Sequence, residues 1–173
     1  MERPFEDEIA ELENTHRWAC ETPIESLVEH VRELSTSTLL AVGSGGSLTT
    51  ATMAVNLCRD FTSGLSFAFT PQELWSRRNM LRQATVFVAT AGGSNPDAIG
   101  AMKMAAQHES KKVLALCTKI GSKLARESSK FSNTAVEEFA LPYKGDGFLA
   151  VNSLWASSLL RNRSLPSALN GLA

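Results

Sequence analysis

Residues 39–47 read Leu39-Leu40-Ala41-Val42-Gly43-Ser44-Gly45-Gly46-Ser47 and contain the strongest indication of architecture in the chain. The first four are a short apolar run, which is typical of a strand buried on both faces of a sheet. The glycine-rich residues after them predict a tight turn, and residues 48–61 continue with apolar residues at helical spacing. A buried strand, a glycine turn and a helix form the first half of a βαβ unit.

The same unit recurs along the rest of the chain. Further runs rich in apolar residues predict strands at residues 65–69, 85–89, 113–117 and 135–141. Helices are predicted from the capping box Thr70-Pro71-Gln72-Glu73 onward and at residues 96–108, 122–128 and 147–160. Five strands alternating with helices predict an α/β fold with a five-stranded, mainly parallel sheet and helices on both faces, a three-layer, flavodoxin-like arrangement.

The residues before and after the α/β core complete the predicted domain organisation. Residues 5–20, and a segment opened by the capping box Thr22-Pro23-Ile24-Glu25, predict N-terminal helices within residues 1–36. The α/β core is expected at residues 37–160. Residues 161–173 are predicted to form a loop-like tail, whose composition is compatible with truncation from a longer chain. No linker or low-complexity segment is evident, so we expect one domain over residues 1–173.

Composition restricts the classes of function. The net charge of −1 gives no overall field that would favour nucleic acid or anionic membranes. No run of 18 apolar residues predicts a membrane span, and the acidic N-terminus does not resemble a signal peptide. Cys20, Cys58 and Cys117 lie far apart, without metal-binding or redox spacing. We therefore expect a cytoplasmic protein with no metal and no cofactor.

Polar side chains follow the first and third predicted strands. Ser44 and Ser47 lie in the first turn, and Thr90, Ser94 and Asn95 lie in the second. Ligands of open α/β sheets bind beyond the carboxyl ends of the strands, and each turn leads into a helix N-terminus that attracts anions. A single turn of this kind is explained better by chain geometry and helix capping alone. Two such turns at equivalent strand ends predict an anion site.

The spacing of the glycines narrows the choice of anion. A dinucleotide-binding loop requires glycine where Leu48 stands, and an acid about 20 residues later, where the chain has Phe69 and Thr70. A Walker loop requires Gly-Lys-Ser/Thr, which neither turn contains. The candidate binding residues are the small and polar residues of both turns: Gly43, Ser44, Gly45, Gly46, Ser47, Thr90, Gly92, Gly93, Ser94 and Asn95.

The two turns resemble the motifs of SIS (sugar isomerase) domains. Leu40-Ala41-Val42-Gly43-Ser44-Gly45-Gly46-Ser47 is similar to the first motif, a strand followed by Gly-x-Gly-x-Ser. Phe87-Val88-Ala89-Thr90-Ala91-Gly92-Gly93-Ser94-Asn95-Pro96-Asp97 is similar to the second, a strand followed by Ser-x-Ser-Gly-x-Thr-x-Asp/Glu. In the order of elements the resemblance covers about residues 24–160. Ser47 matches the first-motif serine.

In the second motif Thr90 matches the first serine, Gly93 the glycine and Asp97 the trailing acid. Gly92 and Asn95 depart from the pattern, since they replace a serine and a threonine. The resemblance implies binding of phosphosugars. Many members are aldose–ketose isomerases and others are sensors or regulatory domains, and dimers or tetramers are common. A homodimer or homotetramer is therefore expected, and an interaction module with a vestigial pocket is a third alternative.

Isomerisation through an enediol needs a base that moves a proton between adjacent carbons. The candidate bases are Glu73, Asp97 and Asp146. Each also has a structural explanation: Glu73 as the capping-box partner of Thr70, Asp97 as a favourable charge in the first turn of a helix, and Asp146 as a turn residue. The sequence therefore leaves isomerase and non-catalytic binding protein open.

Overall fold

The computed structural model describes residues 4–34, 37–62, 64–143 and 151–169. In chain order the elements are α1 (Phe5–Ala10), α2 (Leu12–Glu21), α3 (Glu25–Leu34), β1 (Leu39–Val42), α4 (Gly46–Phe61), β2 (Ser66–Phe69), α5 (Pro71–Ser76), β3 (Thr85–Thr90), α6 (Pro96–Gln107), β4 (Lys112–Cys117), α7 (Lys123–Ser128), β5 (Thr134–Glu138) and α8 (Val151–Leu169). A 3-10 turn at Arg78–Met80 lies between α5 and β3. None of the described helices is both long enough and apolar enough to cross a bilayer.

The five strands form one parallel sheet in the order β2-β1-β3-β4-β5. Leu39 in β1 is in register with Ser66 of β2 on one side and with Thr85 of β3 on the other. The chain therefore extends the sheet in one direction from β1 to β2, and in the opposite direction from β3 onward. This reversal between β1 and β3 is the position where open α/β sheets bind ligands. The predicted α/β fold is confirmed.

Alternate residues of the strands pack against opposite helical layers, as the two-residue period of a strand requires. Leu40 and Val42 contribute to a core formed with α5, α6 and α7. Leu39 and Ala41 contribute to a second core formed with α2, α3, α4 and α8. Because β1, β3 and β4 are covered on both faces, their central residues are apolar, and Thr85, Thr90 and Lys112 lie only at strand ends.

The N-terminal helices differ from the prediction in their boundaries. The helix predicted at residues 5–20 is divided at Glu11, which ends α1 and precedes α2. Thr22 lies at the C-terminal end of α2, where its hydroxyl donates to the carbonyl oxygen of Trp18 at 2.6 Å. The next helix begins at Glu25, three residues after the threonine that was predicted to cap it.

Residues 161–169, predicted as part of a loop-like tail, are helical and belong to α8. The reason is tertiary packing, because Leu160, Ser164 and Ala168 repeat at helical spacing and are fully buried. Arg163 of the same helix donates to the carbonyl oxygens of Ala19 and Thr22, which ties α8 to the end of α2. At the other end of the core, β5 ends at Glu138, three residues before the predicted boundary.

Arg161 of α8 is a buried cation. Its side chain is only 1% exposed, and its guanidinium lies 5.6 Å from the centre of the Phe87 ring. Within the described part of the chain, its Nε and Nη1 atoms have no hydrogen-bond partner. Burial lowers the pKa of Arg161 to about 10. The fold therefore contains an incompletely compensated charge, which opposes folding.

Replacing Arg161 by methionine is expected to stabilise the protein. The Arg161→Met change removes the desolvation penalty but also the attraction to the Phe87 ring, so the expected net gain is about 1–3 kcal/mol. Arg163→Met is the matched control on the same helix. It should lower the melting temperature, because it removes the hydrogen bonds to Ala19 and Thr22. Calorimetric melting of both variants tests this, and a destabilised Arg161→Met variant would contradict it.

Candidate functional site

A cleft of about 270 Å³ lies at the carboxyl edge of the sheet. It is enclosed by the turns that follow β1 and β3 and by the first two turns of α8. Its described lining consists of uncharged residues: Ser44, Gly46, Ser47, Thr50, Thr90, Ala91, Gly92, Ser94, Asn95, Ser153, Leu154 and Ser157. We call it the switch-point cleft, because it lies where the strand order reverses.

The turn after β1 brings the start of α4 to the cleft. A Cβ atom at Gly43 would overlap the carbonyl group of Ser47, so this close approach requires glycine. The Gly43 N–H donates to the Phe69 carbonyl oxygen at 3.2 Å, which fixes the turn to the end of β2. Gly45 precedes α4, and no side chain of the described residues caps this helix. The first turn of α4 therefore presents the positive end of the helix dipole, while its Ser47 and Leu48 N–H groups donate to the Ser44 and Gly45 carbonyl oxygens at 3.2 and 3.0 Å.

The turn after β3 is held by several hydrogen bonds. The Ala91 carbonyl oxygen accepts from the Thr118 N–H at 3.0 Å and from the Thr118 hydroxyl at 3.1 Å. The Gly93 carbonyl oxygen accepts from the Leu124 N–H at 2.9 Å. Asn95 caps α6, since its Oδ1 atom accepts from the Asp97 N–H at 2.8 Å. The side-chain nitrogen of Asn95 carries two further donors.

A third helix begins at the same edge of the sheet, and its N-terminus already holds an anion. The Glu138 carboxylate accepts from the Gly121 N–H at 2.9 Å and from the Ser122 N–H at 2.8 Å, at the start of α7. Burial opposes ionisation, but the hydrogen bonds from Ser122 and Gly121 prevail and lower the pKa of Glu138. This internal carboxylate serves α7, whereas α4 and α6 begin at the switch-point cleft.

Helix α8 supplies the third wall, which the sequence reasoning did not anticipate. Ser153 and Ser157, four residues apart in α8, line the cleft together with Leu154. The spacing of the two serines could have predicted their shared position, because two hydroxyls one helical turn apart lie on the same face of a helix.

The N-terminal helices position the start of α8. The Glu8 carboxylate accepts from the Val151 N–H at 3.3 Å. The Asn152 side-chain amide donates to the Glu8 carbonyl oxygen at 2.8 Å and accepts from the Thr15 hydroxyl at 2.7 Å. Helices α1 and α2 therefore hold the α8 wall of the cleft in place.

No protein-family model and no curated protein matches the sequence. Solved structures do match. A provisionally assigned sugar-phosphate isomerase of Listeria monocytogenes has a TM-score of 0.72 at 17% identity, over 96% of this chain and 89% of that one. NanR of Vibrio vulnificus, complexed with ManNAc-6P, has a TM-score of 0.71 at 19% identity, over 94% of this chain and 59% of that one. The C-terminal domain of glucosamine-fructose-6-phosphate aminotransferase from Francisella tularensis has a TM-score of 0.69 at 11% identity, over 95% of this chain and 44% of that one.

The chain has a SIS-like fold. At these identities the likeness concerns the fold, so the roles of individual residues have to be argued from the cleft itself. This chain spans only about half the length of NanR and of the aminotransferase domain.

Within the SIS-like fold, the ten residues proposed for binding occupy two kinds of position. Seven of them line the switch-point cleft: Ser44, Gly46, Ser47, Thr90, Gly92, Ser94 and Asn95. Gly43, Gly45 and Gly93 are not among its described lining residues and shape the turns instead. Sequence reasoning missed Thr50 and Ala91, besides the α8 residues.

Glu73 and Asp97, two of the three candidate bases, are not among the described residues that line the cleft. Glu73 is exposed and completes the capping box of α5, where its carboxylate accepts from the Thr70 N–H at 2.7 Å and the Thr70 hydroxyl at 2.9 Å. These bonds lower the pKa of Glu73, away from the neutral range that suits a general base. Asp97 is exposed in the first turn of α6 and is not among the described lining residues. Asp146 lies outside the described residues.

We expect Gly93 to tolerate no side chain, whereas its neighbour Gly92 should tolerate a methyl group. Its φ is +61°, and an added Cβ would lie 2.6 Å from Ser122 Cβ and 2.9 Å from Cys117 Sγ. Gly93→Ala is therefore expected to cost at least about 2 kcal/mol of stability. Gly92→Ala, whose Cβ would meet only Ser94 Oγ at 3.7 Å, should change stability by less than about 0.5 kcal/mol. Urea denaturation measures the free energy of unfolding of both variants, and equal losses would contradict the close packing around Gly93.

Proposed function

We propose that this protein binds a phosphorylated sugar in the switch-point cleft, with the phosphate at the N-termini of α4 and α6. The observation that carries the proposal is the convergence of two turns of matching chemistry on one cleft. An anion there would meet the positive end of the α4 dipole, which no described side chain caps, and hydroxyl or amide donors from Ser47, Thr90 and Asn95. Neutral donors are sufficient to hold a phosphate, as helix N-termini in other nucleotide- and phosphate-binding folds illustrate.

The size of the cleft supports a single sugar unit as the ligand. Its volume of about 270 Å³ is at the lower end of the range for small-molecule sites, which begins at about 300 Å³. A dinucleotide would need more room and a different glycine spacing. NanR, which has the same fold, is complexed with ManNAc-6P. That complex supports a sugar phosphate as the class of ligand.

Recognition without isomerisation agrees best with the described lining. An isomerase needs a base in contact with the sugar carbons, and the described residues that line the cleft are uncharged. Glu73 is engaged in the α5 capping box, as described above. We therefore favour a sensor or regulatory role. An isomerase is the second candidate, because Asp97 matches the trailing acid of the second SIS motif and lies in the first turn of α6, next to Asn95 and the cleft.

We also propose that the protein is a cytoplasmic homodimer or homotetramer. Phe5, Ile9 and Trp155 belong to α1 and α8 and expose 41–47% of their surface. His16 stacks on Trp155 at 6.0 Å, beside an apolar hollow that adjoins the cleft through Leu154. Burial of these side chains against a second copy would remove apolar surface from water. The free cysteines are compatible with a reducing compartment, and a monomer in light scattering would contradict the oligomer.

Sugar phosphates are expected to raise the melting temperature of the wild-type protein. A screen of hexose, pentose and heptose phosphates tests this, because ligands that bind the native state stabilise it. Thr90→Val should weaken the affinity for a hit about tenfold or more, since a hydrogen bond to a charged group is lost. Thr85→Val, at the opposite end of β3, should leave the affinity unchanged. The absence of a shift with every sugar phosphate would refute ligand binding and favour an interaction module.

Proton exchange at C1 and C2 of a bound sugar phosphate should be absent. An NMR measurement in deuterated water detects any exchange, because a base that forms an enediol replaces these protons by deuterium. Exchange in the wild-type protein would instead identify an isomerase. In that case Asp97→Asn and Glu73→Gln would show which carboxylate acts as the base, and Asp146→Asn would complete the comparison.

A further inference from the structure

The α8 wall of the switch-point cleft differs chemically from the two turns that it faces. Ser153, Leu154 and Ser157 line this side, whereas the turns contribute helix N-termini and polar donors. Ser153 and Ser157 are each 6% exposed, so both are buried residues in the wall of the cleft. The ligand therefore meets one environment at the turns and another along α8.

The hydroxyl of Ser157 already uses its hydrogen. It donates to the Ser153 carbonyl oxygen, one turn earlier in α8, at 2.7 Å. A hydroxyl has one donor and two acceptor lone pairs, so the Ser157 oxygen presents acceptors to the cleft. The dianion of a phosphate monoester carries only acceptors and cannot bond to this oxygen. A sugar hydroxyl, which carries a hydrogen, can donate to it.

We infer that the α8 wall recognises the hydroxylated carbon chain of the ligand, so that the phosphate lies at the two turns and the sugar extends along α8. This inference rests on the proposed function. Leu154, between the two serines in sequence, offers an apolar surface for the C–H groups of the sugar, and Ser157 accepts from one of its hydroxyls. The class of ligand is a polyhydroxylated sugar monophosphate, recognised at both of its ends.

The inference predicts that the phosphate and the sugar make separate contributions to the binding free energy. Inorganic phosphate uses the turns alone, whereas fructose 6-phosphate uses the turns and the α8 wall. Wild-type protein should therefore bind fructose 6-phosphate more tightly than inorganic phosphate. The ratio of the two dissociation constants isolates the contribution of the sugar.

Titration calorimetry of Ser157→Ala with these two probes tests the inference. The variant should bind fructose 6-phosphate about fivefold to tenfold more weakly, as expected for one lost hydrogen bond, with unchanged affinity for inorganic phosphate. Ser164→Ala is the matched control. Ser164 is a buried serine of the same helix, its hydroxyl donates to the Arg161 carbonyl oxygen at 2.9 Å, and it does not line the cleft. This control should retain the wild-type ratio.

The outcomes distinguish the inference from the proposed function. If wild-type protein binds both probes and Ser157→Ala keeps the wild-type ratio, the α8 wall does not contact the sugar and the inference is overturned alone. An equal loss for both probes would also overturn it, because the serine would then act on the phosphate or on the fold. If wild-type protein binds neither probe nor any other sugar phosphate, the proposed function fails and the inference fails with it.

Discussion

The pairing of β1 with β2 on one side and with β3 on the other is the constraint on which the rest of the structure depends. Helix α4, which follows β1, packs on one face of the sheet, and α6, which follows β3, packs on the opposite face. Their N-termini therefore separate above the sheet, and a crevice opens between them. The cleft is a consequence of strand order, since the same two turns on one face of the sheet would leave no such gap.

Among the helices that begin at this edge, α4, α6 and α7 have different partners for their positive ends. Helix α7 receives the Glu138 carboxylate from within the protein, and α6 receives the side-chain oxygen of Asn95. Helix α4 has no side-chain cap among the described residues. The positive end of α4 is the one best suited to an external anion. The protein itself shows, at α7, how a carboxylate is held by two backbone N–H groups.

Local chemistry made much of this structure predictable. Strand β1 begins and ends where its apolar run does, because polar and glycine residues bound the run and fix its length. The capping box of α5 and the Asn95 cap of α6 follow from short-range hydrogen bonds between near neighbours. Residues 161–169 were predicted wrongly, since their loop-like composition is overridden by burial of Leu160, Ser164 and Ala168 against helices far away in the chain.

The order of apolar runs, glycines and caps along the chain was sufficient to predict the parallel α/β fold and the two turns at its carboxyl edge, because near neighbours specify each strand, turn and cap, and strands that alternate with helices pair in parallel. The α8 wall depends instead on contacts between residues that are distant in the sequence, such as the bond from the Val151 N–H to the Glu8 carboxylate across 143 residues, which only folding brings about. Ser153 and Ser157 reach the cleft because α8 packs against α4 and is anchored by Glu8 and Thr15. No local pattern encodes that placement, since it arises from the packing of whole helices on a twisted sheet.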